Sequence, residues 1–152
     1  MSNRFHILFV ASEATPLART SCMGDVVSAL PTALLDIGVE ASIVMPRYRS
    51  IPVELEQRRI LEGMTAPVGD RLLHFDLYET HLNALTVYLI DCPEYFDRDG
   101  IYRSDNGEYL DNAERYIFFS RAVVELLPFY PVQPTLFHCN DWQTGLVPLY
   151  LN

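Results

Sequence analysis

FHILFVASEATPLARTSCMGDVVSALPTALLDIGVEASIVMP, residues 5–46, decides the fold. Residues 5–11 are an unbroken apolar stretch, the pattern of a strand covered on both faces. Small and polar residues follow over 12–24. Val26, Val27, Ala29, Leu30, Ala33, Leu34 and Ile37 then recur at helical spacing, and Gly38 supplies a helix stop. Residues 41–45 form a second short apolar strand, ended by Pro46. Strand, loop, helix, glycine turn and strand make a βαβ unit, whose crossover is expected to be right-handed.

Working outward from this unit, residues 54–64 mix helix and strand signals. Residues 71–79 and 84–90 alternate as strands do, and are expected to form a hairpin joined near His81, Leu82 and Asn83. Residues 91–111 read as one long polar loop whose tyrosines and phenylalanines argue for packing rather than disorder. Ala113, Tyr116, Ile117, Ser120, Val123, Val124 and Leu127 trace a helical face closed by Pro128. Asp111 or Asn112 is placed to cap it, and Arg121 with Glu125 gives an i,i+4 ion pair. A final strand over 135–139 leads through Asn140 and Asp141 into a last helical turn or two over 143–151. No repeat or low-complexity linker interrupts the chain. The alternation of strands and helices predicts an α/β fold, a Rossmann-like, doubly wound, mostly parallel sheet over residues 1–152.

The 152 residues have the apolar (49%) and charged (20%) content of a folded protein. The net charge is −9, and all 11 basic residues are arginines, with no lysine and no basic cluster. Such a chain is a poor ligand for nucleic acid or anionic membranes, because phosphate neutralisation needs cations side by side. The longest apolar run near the start, residues 7–11, is far short of the roughly 20 residues needed to span a bilayer. Cys22, Cys92 and Cys139 are scattered, odd in number and without C-x-x-C pairing. No metal or cofactor is expected, and reduced thiols in the cytoplasm are the default.

Ligands of doubly wound sheets bind beyond the carboxyl ends of the strands, where the strand order reverses. Two loops are therefore of interest, residues 12–25 and 138–144. The first contains a single glycine and no lysine, which excludes a G-x-G-x-x-G dinucleotide fingerprint and a P-loop. It offers one cation, Arg19, and a helix start at Asp25. Asp25 would repel a phosphate lying directly on that terminus. A consistent picture has Arg19 facing phosphate while Asp25 accepts hydrogen bonds from sugar hydroxyls. In the alternative, Asp25 is only an N-cap and Arg19 a solvated surface residue. Glu13 and Asp25 also form a conceivable acid and base pair. In the second loop His138, Asn140 and Asp141 gather around Trp142, the sole tryptophan. This set suits a sugar held by its hydroxyls over an aromatic floor. Equally, Asp141 caps the last helix, Trp142 is core and His138 is a buried histidine. His138 and Cys139 are adjacent on a strand and point to opposite faces, which argues against zinc.

Residues 5–13, Arg19-Thr20, residues 24–31, Pro46-Arg47-Tyr48, residues 96–102, residues 111–116 and residues 138–146 together resemble the opening of bacterial glycogen synthases and plant starch synthases, in the same order. The resemblance implies a GT-B architecture of two Rossmann-like domains. It also implies retaining transfer of glucose from ADP-glucose to the non-reducing end of an α-1,4-glucan. Arg19 stands where the family's first loop has a lysine that contacts ADP-glucose. Asp25 falls on that loop's aspartate, Asp141 on the aspartate of the family's Asp-Trp motif, with Asn140 beside it, and Tyr102 on an aromatic position near the sugar site. The resemblance thus marks Arg19, Asp25, Tyr102, Asn140 and Asp141 as substrate-binding, and Asp141 as the catalytic candidate. Ser21 and Cys22 replace two family glycines, so any left-handed backbone there would be strained. The resemblance implies that the chain covers roughly the first third of such an enzyme, and it is expected to be a partial N-terminal domain without the C-terminal one. It is expected to be inactive by itself, or to work with a separate chain carrying the missing domain. The alternatives are a non-catalytic sugar-binding or interaction module and a plain structural domain.

Overall fold

The computed structural model describes residues 5–152. Strand β1 (His6–Val10), helix α1 (Cys22–Asp36) and strand β2 (Glu40–Pro46) build the expected βαβ unit. The two strands are parallel, in register from His6 opposite Glu40 to Val10 opposite Val44. Strands β3 (Arg58–Val68), β4 (Arg71–Leu82) and β5 (Leu85–Asp91) follow as an antiparallel meander. The β4–β5 turn is tight, with Leu82 opposite Leu85. Asn83 takes φ 55°, a left-handed conformation that asparagine tolerates better than most residues.

A single turn α2 (Pro93–Phe96), a minimal hairpin of β6 (Arg103–Ser104) and β7 (Gly107–Glu108), helix α3 (Asn112–Glu125), strand β8 (Leu136–Cys139) and the short α4 (Val147–Tyr150) complete the chain. The main sheet has the order β3-β4-β5-β2-β1-β8. Its β5, β2, β1 and β8 are mutually parallel. The chain leaves β1 toward β2, and α3 later returns it to the other side of β1. Right-handed crossovers running in opposite directions place α1 and α3 on opposite faces. Leu8, Val10, Ile43, Val44, Met45, Val87, Leu89 and Ile90, all inaccessible to solvent, form the middle of the core. Burying such side chains contributes about 1.5–3 kcal/mol each, the main drive for the fold.

Four details depart from the pattern read in the sequence. Helix α1 begins at Cys22, three residues ahead of Asp25, because Ser21 is the N-cap and its Oγ accepts from the Met23 N–H (3.2 Å). The ambiguous residues 54–64 lead into an edge strand whose register shifts twice, between Arg59 and Leu61 and between Leu61 and Met64. Such bulges break the period of two. Asp111 occupies the N-cap position of α3 without making a side-chain cap, because its carboxylate is held by Arg98 (2.8 and 2.7 Å).

The fourth is the segment 91–111, which packs as its aromatic residues predict but holds the turn α2 and the β6–β7 hairpin where one long loop is read. Arg115 of α3 is fully buried and donates to the carbonyls of Tyr95 and Ile101 (2.8 Å each) and to Asn112 Oδ1 (2.7 Å). Its guanidinium also lies 5.1 Å from the Tyr109 ring centroid and 5.5 Å from those of Phe96 and Tyr116. Carbonyl dipoles and ring faces replace the water that this cation gives up.

Candidate functional site

Strand order reverses between β1 and β8, so the crevice beyond Val10 and Cys139 is the switch point of the sheet. Both loops singled out in the sequence leave from it. They are tied together by Asn140, whose backbone N–H and Nδ2 both donate to the Val10 carbonyl (3.0 and 3.1 Å). Asn140 Nδ2 also reaches the His138 carbonyl (2.9 Å), so this side chain locks the two strand ends.

The first loop is organised from below by Glu13. This residue is almost fully buried, and its carboxylate accepts from the Thr20 N–H (2.7 Å), Thr20 Oγ1 (2.6 Å), the Ser21 N–H (3.1 Å) and Tyr102 Oη (2.8 Å). Burial by itself would raise the carboxyl pKa. The bonds from Thr20, Tyr102 and Ser21 outweigh it and hold the group below its ordinary value. Glu13 is thus a buried anion that shapes the loop rather than one half of an acid and base pair with Asp25. Gly24 closes the same fold, since a Cβ there would stand 3.1 Å from Thr15 Oγ1 and 3.2 Å from the Ala18 carbonyl oxygen.

Above that anchor, Arg19 and Asp25 face each other as a fork. Arg19 Nε lies 2.9 Å from Asp25 Oδ1, and Nη2 lies 2.9 Å from Oδ2. Thr15 Oγ1 adds a bond to Oδ1 (2.8 Å). The bonds from Arg19, then from Thr15, keep Asp25 below the usual carboxylate range, and the Arg19 guanidinium is correspondingly raised. Both groups are solvent-exposed, so the pair contributes little to stability. Ser21 and Cys22 carry no torsional strain in place of glycines, since Ser21 has φ −139° and Cys22 is helical.

On the second loop Asp141 has φ 65° and ψ 179°, a region that essentially only glycine occupies without cost. Its side chain accepts from the Trp142 N–H (2.7 Å), and Thr144 Oγ1 binds the carbonyls of Asn140 and Asp141 (3.1 Å each). Strain maintained at an exposed polar residue on a strand end marks a position whose direction matters. Trp142 is 56% exposed rather than core, and stands edge-on to Tyr116 with centroids 5.3 Å apart.

Tyr102 joins the two loops. Its Oη bridges Ser12 Oγ (2.7 Å) and Glu13, and its ring lies 5.8 Å from that of Tyr116, which in turn touches Trp142. Tyr116 Oη meets Tyr48 Oη at 2.9 Å, and burial pushes the Tyr116 hydroxyl up to about 12. Tyr102, Arg115 and Tyr116 lie about 77 to 91 positions beyond the end of the first loop, a separation that no local spacing reveals. A carboxylate directly after an apolar strand, with Thr20 and Ser21 ahead of it, was the one available hint of Glu13's role. A further cavity of about 270 Å³ lies beyond β2 and β5, lined by Arg47, Arg49, Asp91 and Asp97. Its charges are spent on each other or on Asp99 nearby. Burial raises the Cys139 thiol, which disfavours a nucleophilic thiolate there. Among the described residues no cluster of His, Cys, Asp or Glu is placed to hold a metal ion, and no helix is long and apolar enough to cross a membrane.

A doubly wound α/β sheet whose switch point carries a charged fork, an aspartate with a left-handed backbone and an exposed indole is a Rossmann-like domain with a candidate site at its switch point. The comparisons with known proteins are specific about which. A family model for the starch synthase catalytic domain matches residues 6–152, and the chain belongs to that family. The glycogen synthase of Vibrio cholerae is 38% identical over 148 residues, covering 97% of this chain and 30% of that protein. The glycogen synthase of Clostridium beijerinckii is 40% identical over 146 residues, 95% of this chain and 29% of that one. The solved catalytic domain of Starch Synthase IV from Arabidopsis thaliana, bound to ADP and acarbose, superposes with a TM-score of 0.84 at 28% identity. That match takes in 98% of this chain and 30% of the other. The chain therefore spans about 30% of the length of the curated relatives it matches.

Proposed function

We propose that this chain supplies the N-terminal half-site of a retaining glucosyltransferase that moves glucose from ADP-glucose to the non-reducing end of an α-1,4-glucan in the cytoplasm. The observation that carries the proposal is the meeting of two polar loops at the switch point, with Asn140 holding both strand ends together. The starch synthase neighbour, bound to ADP and acarbose, supports the ligand class. In this reading Arg19 turns toward the nucleotide phosphates. Among the described residues its Nη1 has no hydrogen-bond partner and is available to a phosphate oxygen while Nε and Nη2 keep Asp25 in place. Asp25 and Asp141 accept hydrogen bonds from sugar hydroxyls, Asn140 and Tyr102 hold the loops that present them, and Trp142 offers an apolar edge to a sugar ring. Asp141 is the catalytic candidate, a carboxylate placed to stabilise positive charge developing on the transferred glucose.

The isolated chain binds without turning over in this proposal. The site lies open on one side, and transfer to sugar rather than water requires a closed, water-excluding cleft. The part that closes it corresponds to the remaining length of the relatives. A non-catalytic sugar-binding or interaction module is the second reading, favoured by the exposure of the Arg19–Asp25 fork. Titration calorimetry with ADP-glucose and a glucan-extension assay with a short maltooligosaccharide test both. Binding without extension is expected, and Arg19→Ala should weaken that binding at least several-fold. Extension by the chain alone would overturn the inactivity. Absent ADP-glucose binding would retire the glucosyltransferase reading, and unchanged affinity in the variant would remove Arg19 from the site.

A further inference from the structure

Between α2 and α3 the chain turns through Ser104-Asp105-Asn106-Gly107, the tip of the β6–β7 hairpin, and Asn106-Gly107 is the sole asparagine–glycine pair in the sequence. Each strand of the hairpin is two residues long, with Arg103 opposite Glu108 and Ser104 opposite Gly107, and the pair forms a sheet of its own. A two-stranded ribbon of that size is marginal, so its tip opens at little cost. Asn106 is exposed. Among the described residues its side-chain amide makes no hydrogen bond, while its backbone N–H donates to Ser104 Oγ (3.2 Å). A cavity of about 580 Å³, lined by Asp99, Gly100, Arg103, Ser104, Asp105 and Asn106, opens to solvent beside it. Gly107 has φ 114°, and a Cβ built there would meet nothing within 4 Å.

Asparagine is a chemically labile residue, and what decides its lifetime is whether the next backbone nitrogen can reach the side-chain carbon. Three other asparagines show the contrast. Asn140 is buried, and its Nδ2 donates to the carbonyls of Val10 and His138. Asn112 lies in α3, with Nδ2 on the Tyr102 carbonyl (2.9 Å) and Oδ1 accepting from Arg115 (2.7 Å). Asn83 is exposed at a turn, but Ala84 follows it, and a Cβ on that residue crowds the approach to its nitrogen. At Asn106 the side chain is free, the tip is loose and the following residue has no Cβ.

We propose that Asn106 is a spontaneous modification site, deamidating through a succinimide formed with Gly107, and that the isoaspartyl product loosens the hairpin that holds Tyr102. The Gly107 backbone nitrogen gives up its proton and bonds to Asn106 Cγ. The bond from Cγ to Nδ2 breaks, and Nδ2 leaves with that proton as ammonia. Water then opens the five-membered ring. Addition at one carbonyl gives aspartate in the original backbone, and addition at the other routes the chain through the side chain, as isoaspartate with one extra backbone carbon. Water is the sole co-reactant, nothing is oxidised or reduced, and the net change is an amide replaced by a carboxylate. The consequence reaches the site through Tyr109, which directly follows β7. Its N–H donates to the Tyr102 carbonyl (3.1 Å), while Tyr102 Oη meets Ser12 and Glu13. An added backbone carbon at position 106 shifts the register that brings this N–H to Tyr102. The new carboxylate also joins Asp99, Asp105 and Glu108 in one short segment, where like charges repel.

Ageing the intact chain at about pH 8 and digesting it with trypsin tests the idea, since cleavage after Arg103 and Arg115 isolates Asn106 in the peptide 104–115. That peptide should gain one mass unit, placed at residue 106 by fragmentation, with the isoaspartyl product detected by isoaspartyl methyltransferase. Conversion should be slower at about pH 6, because the attack needs the amide proton removed, and should outrun that of Asn83 in the peptide 72–98 several-fold. Asp99-Gly100, which can isomerise without a change of mass, falls in the separate peptide 99–103. Amide exchange at Tyr109 should be faster in the purified isoaspartyl form than in the fresh chain. Asn106→Asp, which adds the charge without the extra carbon, should leave it slow. An Asn106 that survives in the folded chain while the free peptide 104–115 reacts, or that converts no faster than Asn83, would overturn the modification site. Unchanged exchange at Tyr109 in the isoaspartyl form, or equally fast exchange in Asn106→Asp, would overturn the route from the added carbon to Tyr102.

Discussion

Replacing Glu13 with glutamine changes one oxygen to an amide and nothing in size, yet the structure predicts a measurable, pH-dependent loss of stability. The carboxylate accepts four hydrogen bonds, two from backbone N–H groups and two from hydroxyls. Glutamine retains one acceptor oxygen for the Thr20 and Ser21 amides. Its NH₂ then faces Thr20 Oγ1 and Tyr102 Oη, whose hydroxyls turn to accept. All four contacts survive as neutral bonds. A bond to an ionised acceptor contributes about 1.5–3 kcal/mol and a neutral one about 0.5–1.5, so the gross loss is about 4 kcal/mol. The neutral side chain escapes the desolvation cost of a buried carboxylate, which offsets about half of that. We expect Glu13→Gln to cost about 2 kcal/mol at pH 7, measured by urea unfolding followed through the single tryptophan, Trp142.

The sign of the pH dependence follows from the depressed pKa. Glu13 contributes its stabilisation above the ordinary carboxylate value of about 4.3, and loses it as pH falls from there through the lower folded-state value. The gap between wild type and variant should therefore be full at pH 7 and close progressively below about pH 4.5. A gap that stays constant down to pH 3, or a variant as stable as wild type at pH 7, would refute a charged, bond-saturated Glu13.

Two further outcomes follow from the loops. Gly24→Ala should lower the thermal midpoint although alanine favours helix by about 1 kcal/mol, because the new methyl meets the Ala18 carbonyl at 3.2 Å and overpacking costs about 1–3 kcal/mol; a raised midpoint would show that the loop yields freely. At position 141, Ala and Gly both remove the bond to the Trp142 N–H, but only Gly relieves a torsion that costs about 1–3 kcal/mol, so Asp141→Gly should exceed Asp141→Ala in stability by at least about 1 kcal/mol. Equal unfolding curves for the two variants would mean the torsion is unstrained.

Local order in the sequence made much of the fold legible. The apolar run of residues 5–11, the helical spacing from Val26 to Ile37 and the stop at Gly38 need only near neighbours to be read, and the βαβ unit stands where they place it. The hairpin turn at Asn83 was visible for the same reason. Edge strand β3 was not, because its two register shifts, with Gly63 at φ 68°, erase the alternation by which strands are recognised. The start of α1 was misplaced because a serine cap at Ser21 gives a weaker signal than the aspartate four residues on.

The order of charges and apolar residues along the chain determined by itself that a doubly wound sheet forms and that polar loops follow its first and last strands. Periodicity and composition suffice for that, since both act over a few residues. Only the tertiary structure decided that Glu13 is a buried anchor, that Arg19 and Asp25 form one fork, that Asp141 holds a strained torsion and that Arg115 packs the 91–111 segment. Each of these depends on desolvation, on partners far away in the chain or on a backbone angle. Such quantities exist only once the sheet has brought distant residues within hydrogen-bonding reach.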